Sequence, residues 1–129
     1  MTYDDILPLI GRLDEIERCM AELLGKLNGA HRSPVSAARI LTLIVLLDGR
    51  VPWYRKGDLG RPQLSKLLGC SAQTFDVVLS KYEAQGLIKK RIEVVPGQNR
   101  QRPSTNTLTY YDPQPQLRAM VVGCFARRP

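Results

Sequence analysis

The stretch Ser71–Arg91, SAQTFDVVLSKYEAQGLIKKR, decides the fold of this chain. It predicts one capped helix that stops at a glycine and continues into a basic strand. Ser71 is a suitable N-cap, since its hydroxyl can accept a hydrogen bond from a free backbone N–H of the first turn. Four apolar residues at spacings of three and four share one buried stripe of this helix: Phe75, Val78, Leu79 and Tyr82. Gly86 supplies the left-handed residue with which such a helix ends.

The opposite face of the same helix carries short, mostly polar side chains. They are Ala72, Gln73, Thr74, Asp76, Val77, Ser80 and Lys81. A helix that lies in the DNA major groove needs such a face, because bulky side chains would hold it away from the base edges. The sequence therefore predicts a recognition helix.

The flanking residues favour a helix-turn-helix followed by a β-hairpin. A shorter helix is predicted over Arg61–Leu68, and the link Gly69–Ser71 is short enough for the two helices to cross steeply. Two β-prone runs, Arg91–Val95 and Thr107–Tyr111, flank a loop that opens at Pro96-Gly97 and is rich in Gln, Asn and Arg. A hairpin with a long basic tip is the wing of a winged helix.

The run Gln63–Tyr111, QLSKLLGCSAQTFDVVLSKYEAQGLIKKRIEVVPGQNRQRPSTNTLTYY, resembles the DNA-binding half of MarR-type (multiple-antibiotic-resistance regulator) winged-helix transcription factors. The order of elements is similar over Ala37–Tyr111, and the specific part is Gln63–Arg91 with Leu108-Thr109. The resemblance implies that the predicted recognition helix enters the major groove and that an arginine at the wing tip enters the minor groove. The residues it assigns to DNA are Ser71, Gln73, Thr74, Asp76, Val77 and Lys81, with Arg100 or Arg102 at the tip.

Charge is distributed unevenly along the chain, whose formal net charge is +7. Residues 1–30 carry three basic and six acidic side chains, whereas residues 50–102 carry eleven basic and four acidic ones. A basic excess over the helix-turn-helix and hairpin would supply the salt-dependent attraction to phosphates that DNA-binding proteins need. Arg55, Lys56 and Arg61 are well placed to contact backbone phosphates. A solvated face is the alternative, but the basic excess coincides with the helix-turn-helix pattern.

The N-terminal segment carries an uninterrupted apolar heptad pattern. Its members are Ile6, Leu9, Leu13, Ile16, Met20, Leu23 and Leu27. Such a seam is typical of contacts between helices of a coiled coil. We interpret it as the subunit interface of a homodimer, because a small winged helix already has its own core; a helix packed only on its own domain is the alternative. A two-fold dimer also suits palindromic operators.

Two further helices complete the expected fold. Val35–Leu47 is apolar almost all round, which is typical of a helix at the centre of a core, and it is too short to span a bilayer. Leu117–Phe125 is amphipathic and follows a turn at Asp112–Pro115. The resemblance implies that this last helix joins the first in the dimer, and packing on its own subunit is the alternative. We expect a dimerisation helix in residues 1–30, a winged helix-turn-helix domain in residues 31–111 and a C-terminal amphipathic helix in residues 112–129.

Nothing in the sequence favours catalysis or a metal site. The single histidine, His31, lies in a linker, and no Cys or His cluster has metal-ligand spacing. No Gly-rich phosphate loop or nucleophile elbow is present. We therefore expect a protein that is not an enzyme and that uses no cofactor or metal.

The three cysteines, Cys19, Cys70 and Cys124, are scattered singly along the chain. Together with the lack of a visible signal peptide, this indicates a reducing compartment and a cytoplasmic protein. Cys19 has two interpretations: a half-buried interface cysteine, or a thiol sensor of the kind that some MarR-type relatives carry near the first helix.

These observations predict a mostly α (α+β) chain, a winged helix-turn-helix with N- and C-terminal dimerisation helices and a β-hairpin wing. The function expected is that of a homodimeric regulator of transcription that binds specific double-stranded DNA, most simply a repressor. A DNA-binding protein for plasmid partition or replication control, and a winged helix that binds only proteins, are the alternatives. The resemblance adds a small aromatic effector as a candidate partner, and no membrane partner is expected.

Overall fold

The computed structural model describes residues 3–29, 35–50, 61–96 and 105–127. Within these ranges the chain is mostly helical, with a small antiparallel sheet of two strands, so the expected α+β class is confirmed. The elements are α1 (Tyr3–Leu27), α2 (Val35–Leu47), α3 (Arg61–Leu67), α4 (Ala72–Ala84), β1 (Ile88–Pro96), β2 (Thr105–Pro113) and α5 (Pro115–Arg127).

The hairpin is longer than the sequence predicts. β1 begins at Ile88 because Leu87 and Ile88 are both buried, so the chain turns into the sheet directly after Gly86. At the other end, Asp112 and Pro113 pair with β1 and do not form the predicted turn. Gln114 alone links β2 to α5, and its backbone N–H donates to the carbonyl of Leu87 at 2.9 Å.

Helix α2 forms the centre of the core, as its apolar composition predicts. Ile40, Leu41, Leu43 and Ile44 are fully buried. Thr42 is buried among them, and its hydroxyl donates to the carbonyl of Ala38 at 2.7 Å, so no donor is left unsatisfied. Side chains of α1, α3, α4, α5 and both strands join the same hydrophobic cluster.

Four members of the α1 heptad seam belong to this intrachain core. Ile6, Leu13, Ile16 and Met20 are at most 1% exposed within the single chain. The interpretation of the seam as a subunit interface is therefore corrected for these four, because they have no surface left for a partner. The apolar seam of α1 can be buried by packing on α2 as completely as by packing on α1 of a second copy. Leu9 and Leu23 are half-buried, and Leu27 is exposed.

A polar contact supports the packing of α1 on α2. The guanidinium of Arg39 on α2 contacts both Asp14 and Glu17 of α1, and the bond from Nη1 to Glu17 Oε2 measures 2.8 Å. Burial lowers the pKa of Arg39, but the hydrogen bonds and charges of the two carboxylates outweigh it and raise the pKa overall.

The last helix is joined covalently to the first. Cys19 of α1 and Cys124 of α5 form a disulfide with a Cα–Cα distance of 5.8 Å. These two cysteines, which are far apart in the sequence, are therefore paired in the structure, and Cys19 is not a free thiol. Helix α5 buries Leu117, Val121 and Cys124. This agrees with the alternative interpretation, in which α5 packs on its own subunit. Among the described helices, none has both the length and the apolarity to cross a bilayer.

Candidate nucleic-acid interface

The turn between α3 and α4 is held by backbone hydrogen bonds. The N–H of Cys70 donates to the carbonyl of Ser65 at 2.9 Å, and the N–H of Gly69 donates to Lys66 at 3.2 Å, which together form a Schellman motif. Ser65 is buried, and its hydroxyl donates to the carbonyl of Pro62 at 2.9 Å. The two helices are therefore joined by a defined turn, with Leu64 facing the core.

Both ends of α4 carry the caps that the sequence predicts. Ser71 Oγ accepts from the N–H of Thr74 at 3.1 Å and donates to Thr74 Oγ1 at 2.9 Å. At the other end Gly86 has φ +78°, a left-handed conformation that only glycine adopts readily. The N–H of Leu87 then donates to the carbonyl of Tyr82 at 3.0 Å, which closes a second Schellman motif.

The apolar stripe of α4 decides which face of the helix is turned outward. Phe75, Val78, Leu79 and Tyr82 are buried, as predicted. The predicted recognition face is exposed throughout: Ala72, Gln73, Thr74, Asp76, Val77, Ser80 and Lys81. The ammonium of Lys81 lies 5.4 Å from the centre of the Tyr82 ring, a cation–π distance that keeps the charge close to the helix.

A surface concavity of about 330 Å³ adjoins this face. It lies between the first turn of α2 and the outward side of α4, and its lining comprises Ser36, Ala37, Gln73, Thr74, Val77, Val78, Lys81 and Tyr82. The recognition face is therefore a shallow groove with an apolar floor. Its contribution from α2 could not be found from the sequence, because Ala37 and Gln73 lie 36 positions apart and no local pattern relates them.

Two hydrogen-bonded groups fix the position of α4 relative to α1. Asn28, just after α1, donates from Nδ2 to Tyr82 Oη at 3.3 Å and to the carbonyl of Leu24 at 2.8 Å. Gln85, at the end of α4, donates from Nε2 to Asn28 Oδ1 at 2.7 Å. The C-terminal ends of the two helices are thus tied side chain to side chain.

The basic residues at the base of the hairpin play different roles. Arg91 contacts Asp112, Glu93 and the carbonyl of Gly49, and its guanidinium lies 4.4 Å from the centre of the Tyr110 ring. The hydrogen bond to Asp112 raises the pKa of Arg91. Its charge is therefore compensated within the chain. By contrast, Lys89 and Lys90 are exposed. They were not among the predicted contact residues, although the basic run Lys89-Lys90-Arg91 is visible in the sequence.

Some predicted contact residues lie outside the described ranges, namely Arg55, Lys56, Arg100 and Arg102. Arg61 is the first residue of α3. Cys70, in the turn before α4, is a free thiol, and burial raises its pKa. Within the described residues no group of three or more His, Cys, Asp or Glu side chains could hold a metal ion.

Comparison with known proteins adds no family: no protein-family model, curated protein or solved structure gives a significant match to the chain.

Proposed function

We propose that the chain is a winged-helix protein that binds double-stranded DNA sequence-specifically as a homodimer and regulates transcription, most simply as a repressor that blocks access to the site it occupies. In this proposal α3 and α4 are the helix-turn-helix, and β1 and β2 are the wing. No catalytic step, cofactor or metal is part of the proposal.

The outward face of α4 is the observation that carries the proposal. It is capped at Ser71, it follows a tight turn from a short helix, and its exposed side chains are small or polar. A major groove about 12 Å wide admits a helix whose exposed side is free of bulk. Gln73 and Thr74 on the first turns have the donors and acceptors to hydrogen-bond base edges.

The exposed lysines of these elements also support DNA binding. Lys66 on α3, Lys81 on α4 and Lys89 and Lys90 on β1 are all exposed. Ammonium groups on the helix-turn-helix and at the base of the hairpin suit a ligand with a phosphate backbone, which holds the protein in position while the helix contacts the bases. Two acidic residues of α1, Asp14 and Glu17, are paired with Arg39.

The argument for a homodimer comes from the two-fold symmetry with which helix-turn-helix proteins bind DNA, because most of the heptad seam is buried within the chain. Two α4 helices related by a two-fold axis would contact two half-sites one helical turn apart. Among the described side chains of α1, Leu7 and Leu27 are large apolar residues that are 43% and 45% exposed.

A salt titration of DNA binding tests the proposal. The logarithm of the association constant for random duplex DNA should fall linearly with the logarithm of the salt concentration, with a slope of about −0.9 per phosphate contact. Lys81→Ala should make this slope about one contact shallower, whereas Lys26→Ala, an exposed lysine on α1, should leave it unchanged.

Selection of bound sites from random duplexes tests the specific part. A recovered site with two-fold symmetry would support a dimeric regulator, and its half-site spacing would give the dimer geometry. Binding that shows no salt dependence, or no duplex binding at low salt, would contradict the proposal and favour a winged helix that binds proteins.

A further inference from the structure

Val77 differs from every side chain around it on the recognition face. On a helix, the neighbours of a residue lie three and four positions away. For Val77 these are Gln73, Thr74, Ser80 and Lys81, which are all polar and all exposed. Val77 itself is 59% exposed, so a β-branched apolar side chain stands in the middle of a polar surface.

The concavity that Val77 lines brings further apolar groups beside this side chain. Ala37, Val78 and Tyr82 form, with Val77, the less polar part of its lining. These groups are unsuited to contact with a phosphate, because a charged oxygen that is placed against apolar side chains loses its hydration and gains no hydrogen bond in return. The composition of this spot therefore suits an apolar group that projects toward α4.

We propose that Val77 is a specificity-determining residue that contacts the C5-methyl group of a thymine. This inference rests on the proposed function, since it assigns a base to the same face of α4. The C5-methyl of thymine is the one methyl group that the natural base pairs present in the major groove, beside hydrogen-bond donors and acceptors. Gln73, one turn before Val77, pairs best with adenine, so both residues favour A·T pairs.

The expected size of the effect follows from the burial of one methyl group. Removing it from the interface should weaken binding about fourfold for each thymine contacted, the factor that corresponds to about 0.8 kcal/mol. The hydrogen-bonding edge of the base pair is unchanged when thymine is replaced by uracil. The replacement therefore tests the methyl contact alone.

The experiment uses the full chain and a duplex selected from random sequence. Each thymine in turn is replaced by deoxyuridine, and the dissociation constant is measured by fluorescence anisotropy at one salt concentration. For the unmodified protein at least one replacement should weaken binding about fourfold. For Val77→Ala the same replacement should cost less than about twofold, because the methyl has lost most of its contact.

Val122→Ala is the matched control. Val122 lies on α5, is 66% exposed and is therefore as accessible as Val77 but away from α4. For this variant the ratio of the dissociation constants of the uracil and thymine duplexes should equal that of the unmodified protein, even if its overall affinity changes. Equal ratios for Val77→Ala and the unmodified protein, or no uracil effect at any position of a bound duplex, would overturn the inference and leave the proposed function intact. Failure to bind any duplex would overturn both.

Discussion

Arg91 on β1 and Asp112 on β2 lie diagonally across the hairpin, and Arg91 Nε donates to Asp112 Oδ2 at 2.9 Å. From the same guanidinium, Nη2 donates to the carbonyl of Gly49 at 2.9 Å, at the end of α2. One planar group therefore fastens the base of the hairpin to the central helix.

Replacing Arg91 with lysine should destabilise the protein although the charge is kept. A lysine ammonium cannot donate in a planar fork to a carboxylate and a carbonyl together. We expect the free energy of unfolding, measured by urea denaturation, to be lower for Arg91→Lys than for the unmodified protein. Arg18→Lys is the control, since Arg18 makes an exposed ion pair with Glu22 on α1 and should change stability by less than about 0.5 kcal/mol. Equal losses in both variants would contradict a special role for Arg91.

Alanine at Gly49 should destabilise the chain more than alanine at any open glycine. Gly49 has φ +69°, and a Cβ there would overlap Oδ1 of Asp112. Both the strained backbone and the displaced carboxylate oppose folding, so a loss of roughly 1–3 kcal/mol is expected. Gly11, inside α1, has nothing within 4 Å of a Cβ, and Gly11→Ala should instead stabilise by up to about 1 kcal/mol. Thermal unfolding of the two variants gives the comparison; a raised melting temperature for Gly49→Ala would refute it.

Truncating Leu13 tests whether the α1 seam belongs to the chain's own core. Leu13 is fully buried, so Leu13→Ala should cost about 2–5 kcal/mol at every protein concentration. Leu7→Ala, at an exposed position of the same helix, should cost far less. The free energies come from urea unfolding followed by circular dichroism at two protein concentrations. A cost that grows on dilution would instead return Leu13 to a subunit interface.

Reduction of the Cys19–Cys124 disulfide should lower stability markedly. The bond closes a loop with a sequence separation of 105 residues. Cross-links over loops of this length restrict the unfolded chain, and their removal typically costs about 2–5 kcal/mol. Calorimetry with and without reductant measures the loss. Cys70→Ser should show the same loss on reduction, because Cys70 is not part of the bond; an unchanged melting temperature would argue against the disulfide.

The helices were predictable from the sequence because each carries its own local determinants. Ser71 and Gly86 cap α4 through contacts within a few residues, and the apolar positions between them fix which face is buried. The outward face of α4, the centre of the candidate site, therefore followed from periodicity alone. The order of the elements followed in the same way.

Relations between distant parts of the chain could not be predicted. The heptad pattern in α1 shows that a stripe must be covered, but Leu13 and Met20 are equally well covered by α2 or by another chain. Spacing along the sequence says nothing about whether Cys19 and Cys124 meet in space. From the sequence, Arg91 is one more positive charge in the basic region. Only the register of the hairpin shows that Asp112 lies beside it.

The bond between Cys19 and Cys124 also changes the connectivity of the molecule. Helices α2 to α4 and both strands lie inside one covalent ring. A protease that cuts the backbone once between residues 20 and 123 therefore yields two fragments that remain attached. On a non-reducing gel the nicked protein migrates as one species, and it separates into two only after the thiols are restored. Proteolytic mapping of the hairpin or of the turn before α4 thus requires both gels to distinguish an intact chain from a nicked one.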